Sequence, residues 1–203
     1  MPNLFQLSVM STIIVCAMAS LANVMLATRY VRRDAALALA LGFLGNAAAW
    51  LMVLLMPGIN RGEPGLSFLV LNALGALGLT TLWCGFWLRA GYRVNHWLAG
   101  GLLALWLLPV AAVMQLDLPW GSHIPFAAAS AALGVISSIW TVANKPVGPR
   151  NAGDWALIVW FILILPVSLS ALVVGVTTPL DDCPELFLTG AVPGDICFCC
   201  CWR

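Results

Sequence analysis

Residues 66–93 read LSFLVLNALGALGLTTLWCGFWLRAGYR. From Leu66 to Leu88 there is no Asp, Glu, Lys, Arg or His, and then Arg89 and Arg93 close the stretch. A hydrocarbon core about 30 Å thick is crossed by about 20 apolar residues in a helix. The stretch is therefore long enough to span a bilayer, and its basic end marks the side on which it stops. Lipid offers the backbone no hydrogen bonds, so such a segment must satisfy its own N–H and C=O groups as a helix. The alternation of apolar and polar residues that a barrel strand needs is absent.

The same pattern repeats along the chain. Apolar runs without an ionisable residue extend over about Leu4–Ala27, Ala35–Met56, Leu66–Leu88, Trp97–Leu116, Ile124–Ala143 and Trp155–Val176. Seven of the nine basic residues lie in every second gap: Arg29, Arg32 and Arg33, then Arg89 and Arg93, then Lys145 and Arg150. Short loops rich in Lys and Arg stay in the cytoplasm. The expected fold is thus all-α: a polytopic integral membrane bundle of six transmembrane helices with its N-terminus outside. Loops 28–34, 89–96 and 144–154 are expected inside, and loops 57–65 and 117–123 outside, with the tail from Thr177. The first run has its bases after it and not before it, the reverse of a secretory signal, and reads as a retained helix.

Composition agrees. The chain is 62% hydrophobic and only 8% charged over 203 residues, where a soluble domain carries about a quarter charged residues. The deficit makes lipid the main partner of its surface. A net charge of +1 gives no bulk attraction for nucleic acid. Trp87, Trp97, Trp140 and Trp155, with Tyr30 and Tyr92, fall at the expected inner boundary, and Trp120 at the outer one. Amphipathic rings favour that depth.

Several chemistries lack their residues. Proton relays and ion pathways put ionisable groups inside the spans, and these runs have none. His96 and His123 fall in loops on opposite sides, so the paired axial imidazoles of a membrane haem are not supplied. No phosphate loop, dinucleotide fingerprint or HExxH helix occurs. No catalytic residue, cofactor or metal is expected.

Three Asn residues stand in the spans: Asn23 in the first, Asn46 mid-membrane in the second and Asn72 in the outer part of the third. Asn46 and Asn72 are candidates for a ligand or signal site, with Pro109 and Pro166, which fall mid-run and interrupt the helical ladder. The simpler reading of the Asn residues is hydrogen bonding between helices, worth about 0.6–2 kcal/mol each. Ser130, Gly134 and Ser138 recur at every fourth position, as do Thr81 and Gly85, a pattern that lets membrane helices approach closely.

The cysteines fall in two groups. Cys16 and Cys84 lie in runs, where a thiol acts as a small apolar group. Cys183, Cys197, Cys199, Cys200 and Cys201 crowd the tail, near Asp181, Asp182 and Glu185. Their spacing lacks the second pair of a zinc site. The chain thus divides into a membrane domain, 1–176, and a Pro- and Gly-interrupted tail, 177–203, which reads as truncated or out-of-frame coding sequence.

The stretch from about Leu39 to Arg93 resembles the membrane region that precedes the GGDEF domain of bacterial diguanylate cyclases. The likeness rests on Leu41, Gly42 and Phe43 after a basic first loop, then Asn72, Trp83, Gly85, Arg89 and Arg93. The sequence departs from it at Cys84, where a basic residue is expected. The resemblance implies a non-catalytic sensory or input module in the bacterial inner membrane, controlling cyclic di-GMP synthesis and working as a homodimer. The partner it implies is a small-molecule or membrane signal. The catalytic domain itself is not in these residues. A small transporter or channel-like bundle is the alternative reading.

Overall fold

An uncharged run in lipid has only its own backbone to bond with, and each long run takes that course. The computed structural model describes residues 4–28, 33–55, 65–116, 118, 120–146, 154, 155, 158, 159, 161–163, 165, 166, 169 and 173. Among them every regular element is helical: α1 (Leu4–Ala27), α2 (Arg33–Leu55), α3 (Leu66–Ala90), α4 (His96–Gln115) and α5 (Ile124–Ala143), with one 3-10 turn at Trp120–His123. All five α-helices are long and apolar enough to cross a membrane. Asp154 and, within the sixth run, residues 155, 158, 159, 161–163, 165, 166, 169 and 173 are among the residues described, and all are helical. The rest of that run and the tail from Thr177, with its Cys and acidic residues, lie outside the described residues. So do Arg29, Arg32 and Arg150.

The ends of the central helices are written in local chemistry. α3 stops at Gly91, whose φ of 97° is a left-handed conformation that suits glycine. There the Gly91 N–H donates to the Leu88 carbonyl and the Tyr92 N–H to that of Trp87, the paired bonds that close a helix C-terminus. Four residues on, Asn95 caps α4: its side-chain oxygen accepts from the N–H groups of Trp97 at 3.1 Å and Leu98 at 3.2 Å. A tight reversal results, and α4 runs back beside α3. Pro125 opens α5, in the first turn, where no N–H is required.

Successive helices run antiparallel. α1 packs on α2, α2 on α3, and α3, α4 and α5 on one another. The α2–α3 seam is built on glycine. A Cβ placed on Gly45 would stand 2.9 Å from the Gly78 Cα, one on Gly78 2.9 Å from the Asn46 nitrogen, and one on Gly85 2.7 Å from Leu39 Cγ. The missing side chains let the two backbones approach closely, so dispersion contacts replace the hydrophobic drive that lipid cannot give. Ser20 of α1 donates to the Ala40 carbonyl of α2 at 2.9 Å. Phe161 of the sixth run enters a cluster with Leu39, Leu82, Phe86 and Val135, its ring edge-on to Phe86 at 4.9 Å.

This up-and-down order carries Arg33, Arg89, Arg93 and Lys145 to one end of the bundle, as the spacing of the basic loops predicts. Two details differ from the sequence expectation. Trp87 is not a boundary residue facing the headgroups: it is buried, 2% exposed, beside Trp83 and Leu102. Its place on α3 turns it toward α4, whereas Trp97, Trp140 and Trp155 are exposed at that end. His123 is not a free loop residue: the 3-10 turn tucks it in, 6% exposed.

Candidate functional site

Asn72 is the most informative polar residue of the spans. It is 7% exposed on α3. Its amide nitrogen donates to the Phe68 carbonyl at 3.0 Å, one turn back on its own helix. Its oxygen accepts from the indole Nε1 of Trp106 on α4 at 3.1 Å. In an apolar interior each of these groups would be costly alone, and the pair satisfies both. Beneath it lie Phe68, Val110 and Val113, with Leu69 and Met114 at the edge. His123 closes the cluster from the start of α5, its ring edge-on to Phe68 at 5.0 Å. The site therefore joins α3, α4 and α5 at the end opposite the arginines.

Pro109 lies within one turn of Trp106 and Val110. α4 continues through it from His96 to Gln115. Proline carries no N–H, so the Leu105 carbonyl loses its usual donor, and the turn beside Asn72 is held more by packing than by the helical ladder. Asn46 stands elsewhere. It is half-buried on α2, donates to the Gly42 carbonyl at 3.0 Å, and packs against Gly78. Gly78 is six residues from Asn72, a rise of about 9 Å along α3. Pro166 is exposed on the sixth run, whose neighbouring Leu165 packs with the Phe86–Phe161 cluster. Of the four candidate residues, then, Asn72 and Pro109 share a neighbourhood, and Asn46 and Pro166 do not join them. Asn23 bonds locally, to the Ala19 carbonyl at 2.8 Å.

The small-residue face of α5 is built as its spacing suggests. Ser130 and Ser138 are fully buried. Ser130 donates across to the Leu102 carbonyl of α4 at 2.8 Å, and Ser138 to the Gly134 carbonyl at 2.9 Å. Gly134 lies flat against the Trp83 indole, where no Cβ would fit. Of the other pair, Gly85 meets Leu39, while Thr81 spends its hydroxyl on the Leu77 carbonyl at 2.6 Å.

Trp106 and His123 were the residues that sequence spacing did not single out. Trp106 carried a usable signal. A Trp in mid-span, away from both boundaries, needs an acceptor for its N–H, and Asn72 is the one side-chain amide on the preceding helix. His123 carried none, because its burial depends on how the short turn after α4 folds.

Among the described residues no group of three His, Cys, Asp or Glu side chains could hold a metal ion. Architecture and site together define an all-helical, multi-pass membrane bundle with an internally satisfied polar cluster. Compared with known protein families, curated proteins and solved structures, the chain matches none.

Proposed function

We propose that this chain is a non-catalytic sensory or input module of the inner membrane, with six spans and its N-terminus outside, of the kind that governs a diguanylate cyclase. The observation that carries the reading is the Asn72–Trp106 pair beside Pro109. It is a polar contact between two helices at a turn whose ladder is interrupted, so a small shift of α4 against α3 would break or remake it. A signal at the outer end that favours one arrangement shifts the population toward it. The likeness of residues 39–93 to cyclase input regions supports the same reading, and so do the bundle's basic end and its uncharged spans. As in that family, the module would work as a pair.

The transporter reading is weaker. A conduit keeps polar groups free to meet a solute. Here Asn72, Ser130 and Ser138 are buried and bonded within the bundle.

A chimera tests the proposal. Residues 1–176 replace the membrane region of a bacterial diguanylate cyclase that keeps its own last span and connecting helix. Cyclic di-GMP is then measured in cells for the parent, Asn72→Ala and Trp106→Phe. The module reading predicts that both substitutions change the output at equal expression. Identical output from all three contradicts it.

A further inference from the structure

The turn between α3 and α4 presents two of the chain's cations from a fixed backbone. Residues 88–98 read LRAGYRVNHWL and contain no Asp or Glu. Arg89, in the last turn of α3, and Arg93, just past Gly91, are both exposed. The turn is held at each side. The N–H groups of Gly91 and Tyr92 close α3, and Asn95 caps α4. The Tyr92 hydroxyl donates to the Asn144 carbonyl past α5, and its ring leans on Trp140 at 5.7 Å. Trp97, in the first turn of α4, is 92% exposed. Gly101, Ala104 and Leu108 follow it at helical spacing on the same exposed face of α4. Nothing outside the local helix backbone lies within 4 Å of where a Cβ on Gly101 would stand. The loops at this end, 28–34, 89–96 and 144–154, together carry seven basic residues and two acidic ones.

We infer that this turn is a docking point for an anionic phospholipid. Arg93 takes the head-group phosphate, Arg89 adds to the positive field, and the acyl chains lie along the Trp97–Leu108 face of α4. A guanidinium matches phosphate oxygens with paired N–H donors. A zwitterionic head group carries its own cation beside the phosphate and so gains less from the same field, whereas anionic lipids are drawn to bases at the membrane surface. The start of α4 does not compete for the phosphate, because the Asn95 oxygen already takes the Trp97 and Leu98 N–H groups. A lipid fits better than a soluble anion because the charge and the apolar face adjoin. The exposed indole of Trp97 sits at the join, at the depth such rings prefer, and the small residues beneath it leave a smooth strip. The held backbone keeps the ordering cost of binding low.

Spin-labelled lipids test it on the full chain in phosphatidylcholine membranes. Labelled phosphatidylglycerol should be held at the protein about fivefold more strongly than labelled phosphatidylcholine at low salt, and the preference should shrink as salt rises. Arg93→Gln should remove most of the preference, and Arg93→Lys, which keeps the charge, should retain most of it. Equal retention of the two lipids by the parent overturns the docking point. So does an Arg93→Gln variant with the parent's preference. Inorganic phosphate that displaces the lipid, where chloride at the same ionic strength does not, would make this a site for a soluble anion and contradict the lipid. The docking point rests on the membrane-bundle reading and not on a signalling role, so it can stand while the chimera fails, or fall while the chimera succeeds.

Discussion

Asn72 uses both halves of its amide, one on its own helix and one on α4. Changing Asn72 to Ala removes the acceptor and leaves the Trp106 N–H without one. The expected loss is about 1–2 kcal/mol of bundle stability, read from denaturation in mixed micelles. Trp106→Phe should cost a similar amount, and the double variant less than the sum, since both lose one shared bond. Additive losses would show that the two residues do not depend on each other. The half of this site that could be read in advance was Asn72, because a lone Asn in an apolar run stands out. Its partner was hidden by habit of composition: Trp in membrane proteins marks boundaries, and this one marks an interior. Asn46 shows the reverse case. It is as conspicuous in the sequence as Asn72 and its donor turns back one turn in the same way, to Gly42, but it lies on the glycine seam against Gly78 and not beside an indole N–H.

Helix pairs here are held by absence of side chains as much as by contacts. Gly134 faces the Trp83 rings and Gly100 faces open space on α4. Gly134→Val should therefore destabilise the bundle by about 1–3 kcal/mol or more through overpacking. Gly100→Ala should stay within about 1 kcal/mol of the parent, on the stable side, since alanine favours a helix. Melting temperatures of the two variants in one detergent check this, and equal effects would contradict the packing described. The α5 face was legible because Ser130, Gly134 and Ser138 repeat at a helical interval. The α2–α3 seam was only partly so. Gly85 was recognised, but Gly42, Gly45 and Gly78 contribute from two helices at once, and no single-helix spacing shows that Gly45 will meet Gly78. The starts of α1, α3 and α5 agree with the apolar runs, as lipid-length segments with clear chemical ends must. α2 and α4 begin a residue or two earlier, where Arg33 and His96 join the first turn.

At the scale of the molecule, lipid replaces water as the solvent that sorts the residues. α1 turns Ile14, Val15 and Met18 outward, all more than half exposed, a face that would aggregate in buffer and is at rest among acyl chains. The antiparallel course of α1 to α5 was readable from loop charge alone, because the rule acts on short loops and every loop here is short. How the sixth run packs was not readable, since Phe161 finds its place through a pocket made by α2, α3 and α5 together. The central claim is that these helices cross a membrane in alternating sense with their arginines on one side. Reporters fused after Leu55, Arg93, Leu116 and Pro146 measure it directly in cells. The account predicts a cytoplasmic reporter after Arg93 and Pro146 and an external one after Leu55 and Leu116. Two successive junctions reporting from the same side would contradict it.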